Sequence, residues 1–167
     1  MRRKDREITD FSKLIAIMEK CDVCRLAFND GDTPYIVPLN FGMEVRDGNV
    51  FLFFHSALKG KKIDLLGTDN RVAFEMDCGH QIILYDERMS CTMGYESVMG
   101  HGTLELLPES EKYNALKILM RHYHSEEFAF NTQMMKVTAV MRLTVSDMTG
   151  KRRDNIHPGE NGRRIEM

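Results

Sequence analysis

Arg46-Asp47-Gly48-Asn49-Val50-Phe51-Leu52-Phe53-Phe54-His55-Ser56-Ala57-Leu58-Lys59-Gly60-Lys61-Lys62 is the stretch on which the fold turns. Asp-Gly between two extended runs is a tight-hairpin signal, because the central residues of such a turn favour positive φ. The run Val50 to Phe54 is apolar at consecutive positions, so a strand there is covered on both faces. One face is expected to meet a barrel core and the other a partner chain. Leu58 to Leu66 then reads as a short helix ending at Gly67.

Upstream, Thr9 or Asp10 can cap a helix that runs to about Lys20 and carries Leu14, Ile17, Met18 and Cys21 on one face. Val23 to Phe28 reads as a strand, Asn29 to Asp32 as a turn, and Pro34 to Phe41 as a second strand. Pro38 cannot donate to a ladder, so it marks an edge, a bulge, or backbone that faces something other than a strand. Downstream, Arg71 to Asp77 alternates through Val72, Phe74 and Met76, and further strands follow at His80 to Tyr85 and Tyr95 to Leu106. Pro108-Glu109-Ser110-Glu111 opens the strongest helix, with Tyr113, Leu116, Met120 and Tyr123 on one face. Lys136 to Ser146 returns to alternation, with Val137, Ala139, Met141, Leu143 and Val145 on one side. About six strands joined mostly by hairpins, with two substantial helices, predict an α+β fold that is mainly β: a small six-stranded antiparallel barrel with flanking helices.

The chain has 167 residues, 43% of them hydrophobic and 29% charged, which favours one compact domain, taken as 1–150. From Lys151 onward Gly, Pro, Asn and charge dominate, so 151–167 reads as a polar tail, disordered or ordered only by a partner. No apolar run approaches the roughly 18 to 20 residues that cross a bilayer, and the charged start lacks the apolar segment of a signal peptide. No membrane association and a cytoplasmic location are therefore expected. The net charge of −2 gives no general footprint for nucleic acid, although its distribution is uneven. Residues 1–7 hold four Lys/Arg against two Asp/Glu and residues 151–167 hold five against three, while the body between is acidic. Four cysteines do not make a disulfide scaffold at this length. Neither Gly-x-Gly-x-x-Gly nor a P-loop motif is present, which removes support for the nucleotide sites of doubly wound folds.

The densest candidate for chemistry is His55 to Lys62. Ser56 supplies a hydroxyl, Gly60 permits close approach, and Lys61 and Lys62 add charge beside the free N–H groups of a helix start, which together make a phosphate cradle. The competing reading is a basic helix start that is merely solvated. Val37, Pro38, Leu39 and Asn40 form a second candidate, a strand able to offer its backbone to the polar edge of a flat ring and its side chains as an apolar floor. An ordinary bulged edge strand is the alternative. Cys21-Asp22-Val23-Cys24 invites a metal or redox reading, but Cys78 and Cys91 offer no second close pair and Cys21 fits the apolar face of the first helix, so no metal is expected. His122-Tyr123-His124 falls at a helix end, where a capping role outweighs ligation.

Taken in order, several blocks give this chain a close resemblance to the FMN-binding split-barrel superfamily. They are Arg2 to Ile8, Cys24-Arg25-Leu26-Ala27, Pro34 to Phe41, His55-Ser56-Ala57 with Gly60-Lys61-Lys62, Tyr95 to Gly102, and Glu111-Lys112 to Thr149-Gly150-Lys151. Within it the chain resembles the nitroimidazole-resistance type related to pyridoxamine 5'-phosphate oxidases. The resemblance implies a homodimer with FMN at the subunit interface and a small-molecule substrate. It implies that His55, Ser56 and Ala57 line the ribityl and ring region, that Gly60, Lys61 and Lys62 meet the phosphate, and that Val37 to Asn40 lie along the isoalloxazine. Tyr95, Ser97 and Val98 are the implied contributions of the second subunit. The implied activity is an FMN-dependent oxidoreductase acting on an electron-poor molecule such as a nitroaromatic, with a non-catalytic flavin- or haem-binding protein as the alternative. His55 is the candidate proton donor, or else packs against the cofactor. The chain has no Trp and a short polar end, where true pyridoxamine-phosphate oxidases supply a tryptophan and arginines, so vitamin B6 oxidation is disfavoured.

Overall fold

The computed structural model describes residues 3–153 and 162–166. The elements are β1 (Glu7–Ile8), α1 (Phe11–Met18), β2 (Cys24–Asp30), β3 (Thr33–Leu39), β4 (Gly42–Arg46), β5 (Asn49–Ala57), α2 (Lys61–Thr68), β6 (Arg71–Tyr85), β7 (Ser90–Leu106), α3 (Glu109–Tyr123), α4 (Thr132–Lys136), β8 (Thr138–Arg153) and β9 (Arg163–Glu166). The strands are ordered β3-β2-β6-β7-β8-β5-β4, with β1 on β8 and β9 on β6. The order is open, with β3 and β4 at its edges, and the fold is the expected one: α+β, mainly antiparallel β, flanked by helices, as in a split barrel.

Within the chain two compact units are distinguished. One holds Met1–Cys21, Met76–Met99 and Thr149–Met167, and the other Asp22–Glu75 and Gly100–Met148. In the second unit, Asp47 and Gly48 both take positive φ (51° and 75°), as the hairpin between β4 and β5 requires. Val50, Leu52 and Phe54 turn to one face of β5 and are buried there. Phe51 and Phe53 turn to the other, against Leu107, Ala115, Leu116, Met135 and Val140. The doubly apolar strand is thus covered on its second face by the chain's own α3 and α4 region, not by a partner as the sequence suggested. In the first unit, the Asp10 carboxylate accepts the Lys13 N–H at 3.1 Å and caps α1. That helix buries Leu14, Ile17 and Met18.

Four further boundaries differ from expectation. α2 begins at Lys61, not Leu58, because Gly60 holds φ 132° and ψ 166°, a conformation outside any helix. The two strands expected at 71–77 and 80–85 are one strand, β6, which carries Gly79 at φ 67° within it. The five-residue α4 has too short a period to be read from sequence. Lys151 to Arg153 continue β8, and β9 pairs with β6 from Leu84↔Arg163 to Gln81↔Glu166, so these parts of the expected tail are strand. The rest of that tail lies outside the described residues. Among the described residues no helix is long and apolar enough to cross a membrane.

Candidate functional site

The second unit gathers most of the residues singled out from sequence. β5 pairs with β8 to its last residue, Ala57↔Thr138, and its alternation puts His55 and Ala57 on the same face as Phe51 and Phe53. Both emerge exposed beyond the part that the helices cover. Ser56 is half-buried and its hydroxyl donates to the Ala57 carbonyl at 2.8 Å. Three residues later Gly60 caps α2, its carbonyl accepting the N–H of Ile63 at 2.8 Å and of Asp64 at 3.1 Å. The N–H groups of Lys61 and Lys62 are the ones a helix start leaves without an intrahelical acceptor. No atom lies within 4 Å of where a Cβ on Gly60 would stand, so the approach to this helix end is open.

The lysines around it are not equivalent. The Lys61 ammonium is ion-paired with Asp30 at the end of β2 and lies 5.1 Å from the centroid of Tyr35 on β3. Lys59 is exposed and Lys62 half-buried, and among the described residues neither is in an ion pair. At its far end α2 is tied through Asp69, whose carboxylate accepts from Arg71 at 2.9 and 2.7 Å and from the Asn29 amide at 2.8 Å. The Arg71 guanidinium beside it, with the Arg71 N–H and Asn29, holds the Asp69 carboxyl well below the usual carboxylate range. Both ends of α2 are therefore fixed to the β2–β3 hairpin and its neighbour β6, which sets the direction of its first N–H groups.

Val37, Pro38 and Leu39 lie on β3 opposite Leu26, Arg25 and Cys24 of β2. Val37 and Leu39 are half-buried, and Pro38 and Asn40 are exposed. Of the roles open to Pro38, the edge is the one it takes: β3 is the last strand of its side of the sheet. The end of α3 holds the connection from β3 to β4 in place. The Tyr123 hydroxyl donates to the Asp22 carbonyl at 2.7 Å and accepts the Phe41 N–H at 2.9 Å. The His122 ring lies 4.3 Å from that of Phe41, so this histidine packs on the same connection. Asp30, Tyr35 and Tyr123 are the residues that sequence reasoning missed as site-building. Tyr123 already stood on the apolar stripe of its helix, whereas nothing in the sequence paired Asp30 with Lys61.

Tyr95, Ser97 and Val98 lie on β7 in the first unit. Tyr95 is half-exposed, with the Lys151 ammonium 5.6 Å from its ring centroid. Ser97 is 8% exposed and Val98 fully buried, so of the three only Tyr95 offers substantial side-chain surface. The same unit brings Cys78 to Cys21, a pairing that spacing along the chain did not suggest: both thiols donate to the Ile17 carbonyl, at 3.9 and 3.3 Å. Burial pushes the Cys78 thiol up, against the hydrogen bond with Cys21. Among the described residues no group of three or more His, Cys, Asp or Glu is placed to hold a metal ion.

An open antiparallel sheet that carries a proline-bearing edge strand and a glycine-capped, lysine-rich helix start defines a protein of the split-barrel class. Residues 11–152 match the model of the pyridoxamine 5'-phosphate oxidase family. A candidate 5-nitroimidazole antibiotic resistance protein from Bacteroides thetaiotaomicron is 33% identical, with 87% of this chain and 86% of that one covered and a TM-score of 0.77. The chain belongs to the pyridoxamine 5'-phosphate oxidase family. The fold is shared more widely. The flavocytochrome Anf3 from Azotobacter vinelandii superposes at a TM-score of 0.78 with 15% identity, over 100% of this chain and 83% of that one. A FAD and heme binding protein from Mycobacterium smegmatis superposes at 0.76 with 17% identity, over 90% and 74%. No curated protein sequence matches.

Proposed function

We propose that this chain is an FMN-dependent oxidoreductase that reduces a small electron-poor molecule of the nitroaromatic kind. The observation that carries the reading is the start of α2. Gly60 leaves it open, its first N–H groups are those a helix start leaves without an intrahelical acceptor, and Lys59 and Lys62 stand beside it without a carboxylate partner among the described residues. A phosphate dianion gains charge-assisted hydrogen bonds in such a place. Lys62 and the two N–H groups would hold the phosphate, joined by Lys61 once it exchanges Asp30 for the ligand. Ser56 and Ala57 would meet the ribityl chain, and Val37 to Asn40 would lie along the ring. The flavin, when bound, supplies the electron transfer. The protein's share is to bind and orient it and to present His55, exposed at the strand end, to a substrate as a proton donor.

The family resemblance extends the reading to a homodimer with FMN at the interface, to which the second subunit brings the Tyr95 side chain and the β7 backbone at Ser97 and Val98. A non-catalytic flavin- or haem-binding protein is the second reading, favoured by the names of the two more distant structural relatives. Anaerobic reduction of bound flavin, then mixing with nitro compounds, quinones or oxygen, separates them. Substrate-dependent reoxidation much faster than that of free FMN is the expected result. A rate no faster than free FMN leaves the binding protein.

A further inference from the structure

Two thiols to which the flavin reading gives no part meet in the first unit. Cys21 follows the last turn of α1, and Cys78 lies on β6 just before Gly79. Although far apart in sequence, both donate to one acceptor, the Ile17 carbonyl, at 3.3 and 3.9 Å, and the two thiols are hydrogen-bonded to each other. Neighbouring bonds hold Cys21 in this place. Its N–H donates to the Met18 carbonyl at 3.2 Å, and the Lys20 ammonium beside it is ion-paired at 2.7 Å with Glu96 on β7. The two thiols differ in access. Cys21 is 2% exposed, whereas Cys78 is half-buried and keeps some surface toward solvent. Neither is in a disulfide. Of the other two cysteines, Cys24 is buried on β2 in the other unit and Cys91 is exposed on β7.

A thiol that solvent can reach, in contact with a second that it cannot, is an arrangement in which the first sulfur is oxidised and the second captures it. We propose that Cys21 and Cys78 form a reversible dithiol switch, closed to a disulfide by a hydroperoxide and reopened by a dithiol reductant. The switch goes beyond the flavin reading and does not depend on it. In the closing reaction the Cys78 thiolate attacks one peroxide oxygen, the O–O bond breaks, and the departing oxygen leaves as water or an alcohol with the proton that the thiol gave up. The Cys21 sulfur then attacks the Cys78 sulfenic acid: the S–S bond forms, the S–O bond breaks, and the hydroxide leaves as water with the Cys21 proton. The two sulfurs have together passed two electrons to the peroxide. The bridge ties the end of α1 covalently to β6, which the reduced chain joins there through hydrogen bonds. Burial above all, with Glu96 and Asp77, pushes the Cys78 thiol up, against the Cys21 hydrogen bond and Lys20. The attacking thiolate is therefore scarce at neutral pH, and closure quickens as the pH rises.

Hydrogen peroxide added to the reduced full chain, followed by alkylation of the remaining thiols and peptide mapping without reductant, tests it. The expected product is a Cys21–Cys78 bridge within one chain, which dithiothreitol reopens. The same bridge should form in Cys91→Ser, where the exposed thiol is gone. Closure should raise the melting temperature by several degrees, and dithiothreitol should reverse the rise. The rate of closure should climb about tenfold per pH unit from about pH 7 to 9, past the point near 8.5 where the thiol of free cysteine levels off. In Cys21→Ser, dimedone should trap Cys78 as the sulfenic acid and no bridge to it should form. A bridge from Cys21 to Cys24, Cys78 oxidised without a bridge in the parent chain, both thiols still alkylated after peroxide, or a rate indifferent to pH overturns the proposal.

Discussion

At the scale of single residues, Asp30 is ion-paired with Lys61, and on the flavin reading it competes with the phosphate for that lysine. Asp30→Asn should release that lysine and tighten FMN several-fold while leaving riboflavin, which has no phosphate, unchanged. Lys62→Ala should weaken FMN at least tenfold and riboflavin little, taking a charge-assisted bond as about 1.5–3 kcal/mol. Lys61→Ala should cost less than Lys62→Ala, since it removes a group that is already paired. Flavin fluorescence quenching measures all three, and equal losses for FMN and riboflavin would place the lysines away from the phosphate. In the first unit, Glu96→Gln should lower stability at neutral pH by about 1–2 kcal/mol, as a charged group loses its bonds to Lys20 and Arg152. The folded carboxyl lies below its ordinary value, so its contribution is full above that value and fades as the pH falls through the lower, folded one. The wild-type and Glu96→Gln denaturation curves should accordingly converge in acid.

At the scale of elements, α3 positions the site without touching it. Tyr123→Phe strips the Phe41 N–H and the Asp22 carbonyl of their shared partner, at an expected cost of about 1–3 kcal/mol in a urea melt. Gly42→Ala on β4 drives a Cβ into the backbone of Leu119 and should cost about 1–3 kcal/mol or more, because neither backbone can yield. Elements whose ends are set by local chemistry were legible in the sequence. The turn at Asp47-Gly48 and the helix from Glu109 to Tyr123 fall where the Asp-Gly pair and the proline-bearing acidic start put them. Elements whose ends depend on one backbone angle were not: Gly60 delays α2, and β6 runs on through Gly79 at positive φ. The pattern at Val50 to Phe54 told that both faces are covered but not by what, because apolar periodicity carries no information on the covering atoms. The same limit hid Asp30, whose meeting with Lys61 depends on how α2 lies against the β2–β3 hairpin.

At the scale of the whole molecule, the flavin reading predicts a purified protein that is yellow, releases FMN on denaturation and runs as a dimer. A colourless monomer that refuses added FMN would end it. Because α3 and α4 already cover Phe51 and Phe53 on the second face of β5, a dimer would have to draw on surface beyond those two residues. The edge strand β3 limits which. Pro34 and Pro38 are four residues apart, so their nitrogens lie on the same side of the strand, and an unbroken register with β2 leaves that side facing outward. Two of the three donor positions from 34 to 38 on the free edge therefore have no hydrogen to give. A foreign strand that tries to extend the sheet finds too few bonds, so the prolines act as a guard against runaway polymerisation of the chain through its own edge. Pro38→Val would restore one donor, and light scattering of that variant on prolonged warming should rise where the parent solution stays clear.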